Sequence, residues 1–211
     1  MNRLRWSSVC CGTAVLVLAV LAAWPPPGAA QSQQVIGQAT ALRTSVAGLL
    51  GTTTVEIAST GPLANAADAR QASEPAGTVA GLGGAEVLVA TTISSISTWA
   101  PDDAVASAAS LADLAVTVLG IRITAAFVMA EAQATVGGLT AGAVSLDGLT
   151  ANGMAIPVTG APNQMVSLPG LQLIINEVTR SAGGITVNAL HITTLTGAID
   201  VVAGSATAGV R

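Results

Sequence analysis

"INEVTRSAGGITVNALHIT", residues 175–193, is the stretch whose reading decides the fold. Two runs rich in Ile, Val and Thr flank Ser-Ala-Gly-Gly. β-branched residues suit a pleated, half-buried surface, and glycines suit a short reversal, so the stretch reads as strand, turn, strand. Gly183 and Gly184 are expected to supply positive φ for the turn. Strict alternation along the returning strand puts Ile185, Val187, Ala189 and His191 on one face. Thr186, Asn188, Leu190 and Ile192 fall on the other. Both faces mix apolar and polar residues, so neither reads plainly as solvent-facing. Antiparallel pairing sets Glu177 near Asn188 and carries His191 on towards Leu173. The hairpin by itself is therefore not expected to make a Glu–His pair.

The same pattern extends outward in both directions. "TTTVEIAST" (52–60) alternates Val55 and Ile57 with polar neighbours, and "AEVLVATTISSIST" (85–98) is rich in β-branched residues. "LADLAVTVLG" (111–120) leads into "IRITAAFVMAEAQATV" (121–136). There, alternation groups Ile121, Ile123, Ala125, Phe127 and Met129 on one face. Further strands are expected in "AGAVSLDGLTANGMAIPV", "QMVSLP", "LQLIINEVT" and "AIDVVAGSATAGV", with Gly, Pro or Asn between most of them. "PVTGAPNQMVSLPG" (157–170) reads as two turns around a short strand. Alanine leaves a short helix near 102–112 open, but period-two patterning over long runs argues for an all-β chain. "GLTAG" (138–142) and "GLTANG" (148–153) hint at a repeat, and two copies are fewer than a stacked solenoid needs. The expected fold is a single all-β domain, a two-layer sandwich, with a β-solenoid as the alternative.

The first 30 residues read as a secretory signal. Arg3 and Arg5 precede an apolar stretch of 16 residues, Val9 to Trp24, which is followed by "PPPGAAQSQQ". That stretch falls short of the roughly 20 residues that cross a bilayer, so cleavage after Ala30 is expected rather than a membrane anchor. Cys10 and Cys11 lie at the start of the apolar stretch, whereas a lipoprotein cysteine would follow it. The expected mature chain, 181 residues (211 − 30), then has no cysteine, no disulfide and no transmembrane segment. Residues 31–41 read as a loose lead-in and 42–211 as the all-β domain.

Composition excludes several functions. Five Arg, no Lys and eleven carboxylates leave the mature chain near −6 (5 − 11). A nucleic-acid binder needs a basic patch, and no such patch or partner is expected here. Trp99 and Phe127 are the only aromatics after Trp24, too few for base stacking. One histidine and no mature cysteine argue against a conventional zinc site. Asp102 and Asp103 could be offered to calcium, but no spaced Asp/Asn loop accompanies them, and a turn cap explains "PDD". No cofactor, metal site or catalytic residue is expected. Glu177 or Asp200 with His191 and Asn188 is the one constellation worth testing as a hydrolase or carbohydrate-binding site. No Gly-x-Ser-x-Gly elbow accompanies it.

"NGMAIPVTGAPNQMVSLPGLQLIINEVT", then "GGITVNALHITTL" and "DVVAGSATAGV", resembles the choice-of-anchor P family. The residues carrying the resemblance are Asn152-Gly153, Pro162-Asn163, Leu168-Pro169-Gly170, Ile175-Asn176-Glu177 and Val187 to His191. Upstream, "ALRTSVAGLLG", "VLVATTISSIST" and "IRITAAFVMAEAQAT" are also similar. The resemblance implies an exported bacterial protein of unassigned molecular function, and it brings no catalytic residues. Related chains carry various C-terminal anchors. This one ends "AGSATAGVR", without a sorting motif, apolar tail or basic end cluster, so release, retention by a partner and truncation are all left open. The expectation is a non-enzymatic secreted or cell-surface protein. A surface or self-association partner, including a fibre or matrix subunit, is left open.

Overall fold

The computed structural model describes residues 34–49, 51–82, 85–89, 93–100 and 103–211. Every regular element among them is a β-strand, and the strands form two antiparallel sheets that do not close into a barrel. The sandwich reading is thus the correct one of the two. The first sheet runs, in spatial order, β12 (Gln164–Leu168), β13 (Leu171–Ser181), β14 (Gly184–Thr194), β15 (Ile199–Val210), β1 (Val35–Gly48) and β2 (Gly51–Ser59). The second is built on β7 (Ala104–Val118) and β8 (Ile121–Thr135), paired along nearly their full length. The region left open for a helix, 102–112, is strand from Ala104 onward, because Val105, Ala109 and Leu111 alternate inward. The lead-in reading of residues 31–41 is corrected from Val35 onward, while residues 31–33 lie outside the described residues. Residues 35–41 form the first half of β1, with Val35, Ala39 and Ala41 buried against the core.

Strict alternation fails once along each central strand. In β14, Ile185, Val187 and Ala189 are buried, and then Leu190 and Ile192. In β15 the buried set is Ile199, Val201 and Ala203, and then Ala206 and Ala208. In β1 it passes from Ala39 and Ala41 to Leu42 and Thr44. The pairing sum of each strand pair is unchanged across these points, so no residue is inserted. The hydrogen-bonded ladder skips one rung instead, and the skipped residues stand side by side: Asn176, Ala189, Gly204, Ala41 and Ala58.

Three of these five, on every second strand, have left-handed backbone: Asn176 (φ 52°), Gly204 (φ 68°) and Ala58 (φ 49°). A single left-handed residue rotates the chain so that alternation restarts with opposite phase. The result is a crease across the sheet. Side chains two apart keep to one face, except at the crease, where the step is three.

The second sheet carries a matching crease. Inward residues pass from Val105, Ala109 and Leu111 to Leu114, Val116 and Val118 in β7. In β8 they pass from Ile123 and Ala125 to Val128, Ala130, Ala132 and Ala134. Asp113 (φ 52°) and Gly148 (φ 66°) flank the skipped Ala126. Here the neighbours change as well. β6 (Ile93–Ala100) covers the first half of β7 and β5 (Ala85–Val89) the second. β9 (Thr140–Asp147) and β10 (Thr150–Ala151) divide β8 in the same way. Phe127 and Met129 therefore leave the face of Ile123 and Ala125, contrary to the alternation reading.

The two creases face each other across the core. A Cβ on Gly204 would stand 3.2 Å from Ala189 Cβ, 3.3 Å from Val128 Cγ1 and 3.5 Å from the Ala130 nitrogen. Close approach explains the buried alanines here: a larger side chain would wedge the layers apart. At one edge the Ser95 hydroxyl of β6 donates to the carbonyl of Ala58 at 2.6 Å, tying the second sheet to the first sheet's crease.

Gly204→Ala should lose about 2–5 kcal/mol, combining left-handed strain of about 1–2 kcal/mol with overpacking of about 1–3 kcal/mol. Gly153, also left-handed (φ 79°), has open space where a Cβ would go. Gly153→Ala should lose only about 1–2 kcal/mol, the strain alone. Urea unfolding of the two variants checks the difference. Equal losses would show that Gly204 is not tightly enclosed.

Candidate functional site

The outer face of the first sheet gathers its polar side chains at the crease. Reversal at Asn176 turns Glu177 outward, while Leu171, Leu173 and Ile175 before it point into the core. Reversal at Ala189 puts Asn188 and His191, three apart, on that same outer face, and Leu190 and Ile192 go inward. Glu177 lies opposite Asn188, as expected, and His191 lies opposite Ile174. The Glu–His pair not expected from the hairpin pairing is nevertheless present. Glu177 Oε2 is 3.1 Å from His191 Nδ1 and accepts from Asn188 Nδ2 at 2.6 Å. On the far side, His191 Nε2 is 2.5 Å from Asp200 Oδ2. Asn188 Oδ1 accepts from the Ser205 hydroxyl at 2.7 Å. One chain of hydrogen bonds thus crosses β13, β14 and β15.

This is an ion triad. The Asp200 and Glu177 carboxylates flanking His191 raise its pKa from 6.5 to about 9, outweighing partial burial. The imidazole is therefore protonated at neutral pH, and each N–H faces a carboxylate. Glu177 in turn is held below its ordinary value, chiefly by the hydrogen bond from His191 and further by Asn188 and the nearby Arg43. A histidine in this state has no free lone pair with which to take a proton. Ser205 is separated from it by Asn188 and Glu177, so the hydroxyl is not set against the imidazole. The carboxylates flank the ring on opposite sides rather than converging on one point. Among the described residues no cluster of His, Cys, Asp and Glu could hold a metal ion. Asp102 lies outside the described residues, and Asp103 starts the β7 hairpin, its carbonyl accepting from the Val136 nitrogen.

Beside the triad lies a recess of about 230 Å³. Ser205 and Thr207 of β15 form its floor, Gln38, Thr40 and Arg43 of β1 one wall, and Thr186 and Asn188 of β14 the other. Among the described residues Arg43 has no ion-pair partner. Sequence reasoning singled out Glu177, Asn188, His191 and Asp200, but not Ser205, Arg43 or Gln38. The glycine before Ser205 is the one local signal, since it marks where the face of β15 reverses.

The other motif residues hold turns. Asn152 Oδ1 accepts from the Arg122 nitrogen at 2.9 Å. Asn163 Oδ1 accepts from the Val178 nitrogen, and Asn176 Nδ2 donates to the Gly160 carbonyl, which fastens the 157–163 loop to the crease. The glycine pair works differently from expectation. The turn is Ala182-Gly183, and neither Gly183 nor Gly184 has positive φ. Gly184 is required by packing instead, since a Cβ there would lie 2.4 Å from the Ala208 carbonyl oxygen.

Comparison with family models, curated proteins and solved structures finds no match for this chain.

The triad makes stability depend on pH in a defined direction. His191 titrates at about 9 in the folded chain against 6.5 ordinarily. Its contribution is full below about pH 6.5 and is lost as pH rises through 9. Glu177 acts oppositely, since its lowered pKa contributes above 4.5 and is lost as pH falls. At pH 6, His191→Gln should cost about 1–3 kcal/mol, allowing for solvent screening of a partly exposed group. At pH 10 the variant and the parent should differ little. Denaturant unfolding at both pH values checks this, and a pH-independent difference would refute the triad.

Proposed function

We propose that this chain is an exported, non-enzymatic β-sandwich that acts at or beyond the cell surface by binding. The carrying observation is the state of its one histidine. Both ring nitrogens of His191 are engaged by carboxylates, so the constellation best suited to hydrolysis holds an imidazolium and not a base. The signal-like N-terminus and the resemblance to the choice-of-anchor P family support export.

The recess supports a more specific reading, a hydroxylated ligand such as a saccharide. Its lining is almost wholly hydroxyl, amide and guanidinium. No aromatic side chain lines it, so recognition would rest on hydrogen bonds, with Arg43 as the single cation.

The purified protein should hydrolyse no ester, peptide or glycoside at a rate that depends on His191, when compared with His191→Gln. Titration with neutral and acidic oligosaccharides should show weak binding, reduced at least tenfold by Thr207→Trp, which fills the recess from its floor. His191-dependent hydrolysis would overturn the non-enzymatic reading. Saccharide binding unaffected by Thr207→Trp, or no binding at all, would overturn the recess as its site.

A further inference from the structure

Several turns meet at one end of the sandwich. The Ala47 nitrogen donates to the Ala198 carbonyl, joining the β1–β2 and β14–β15 turns. The Leu195 nitrogen donates to the Gly170 carbonyl, adding the β12–β13 turn. Leu119, in the β7–β8 turn of the second sheet, sits against Gly170. The Asn152-Gly153 turn is bonded to Arg122, just beyond Leu119-Gly120. Four of these turns present one large apolar side chain to solvent: Leu49 (107% exposed), Leu119 (59%), Met154 (70%) and Leu195 (71%).

These side chains are more than half exposed, Leu119 included although it touches Gly170. Leu119 and Gly120 both have left-handed backbone (φ 51° and 77°). Such a turn favours Asn or Asp before Gly, and leucine there carries strain without burial. The charge distribution is also one-sided. The turn residues 48–51, 119–120, 152–154, 169–170 and 195–198 contain no charged residue; the nearest charges along these hairpins are Arg122, which is exposed, and Asp200, which is held by His191. The opposite end holds the Asp68–Arg70 ion pair, Asp103, Arg180 and Arg211. In an acidic chain, one end is thus apolar and carboxylate-free at its tips, with a cation at its rim.

We propose that this end docks on an anionic lipid bilayer. Its turn tips enter the boundary between headgroups and acyl chains, and Arg122 meets lipid phosphate. Apolar insertion combined with attraction to anionic headgroups is the general basis of interfacial binding. A second copy fits less well. The four tips are separate points, which suit a fluid surface better than a rigid one. The recess on the outer face stays open in this pose, because it lies on the side of the sandwich and not at this end.

The test uses the full chain, so that its N-terminal segment is common to all variants. Flotation is measured with phosphatidylglycerol/phosphatidylethanolamine vesicles and with phosphatidylcholine vesicles. Leu119→Asn combined with Leu195→Ser should lower partitioning onto the anionic vesicles at least tenfold. Leu119→Asn alone should raise the melting temperature while weakening binding, a pairing that a folding defect cannot produce. Leu139→Ser at the opposite end should change nothing, and Arg122→Gln should remove the preference for anionic vesicles. Equal partitioning of the parent and the double variant would overturn the proposal. So would absence of binding by the parent, or a parent dimer that the double variant makes monomeric without any lipid binding.

Discussion

The structure depends on the creases more than on any single contact. A sandwich needs one apolar face per sheet, and an ordinary strand supplies it by strict alternation. Here each long strand is two shorter amphipathic runs of opposite phase, joined at a residue that reverses the facing side. The reversal succeeds only because the reversing residues line up across each sheet, leaving the register of each strand pair intact across the crease. It also requires small side chains where the two creases meet. Gly204, Ala189 and Ala130 satisfy that requirement.

The crease is also what builds the polar site. Without reversal at Asn176, Glu177 would point into the core behind Ile175. Without reversal at Ala189, Asn188 and His191 would lie on opposite faces. The ion triad therefore reports on the backbone. Its two carboxylates compensate the partly buried charge of the imidazolium, and the network spans three adjacent strands beside the skipped rungs. Where the ladder has lost a bonded pair, side chains link the strands instead. That arrangement favours a structural role for the histidine and leaves the adjoining recess as the surface most suited to a ligand.

The fold class was legible from the sequence because β-branched runs and turn residues recur along the chain. The faces were not. Period-two reasoning placed Phe127 with Ile123, and His191 with Val187, and both pairings cross a crease. The mixed character of both faces of residues 185–192 was the visible symptom. Asn176 and Gly204 were its readable causes, since Asn and Gly tolerate left-handed backbone. Asp113 is a weaker signal of the same kind, and Ala58 gives none. The early start of β1 was missed for a related reason: its inward residues, Ala39 and Ala41, look like linker composition when the opposing layer cannot be seen.

The central claim is that the crease brings Glu177, His191 and Asp200 together on one face as a charged triad. Nitrogen-15 NMR of the single histidine tests it most directly. The account requires both ring nitrogens to be protonated at pH 7, with a titration midpoint near 9. A neutral imidazole at pH 7 with a midpoint near 6.5 would contradict it, because His191 would then lack its two carboxylates and the strand faces would not be those described.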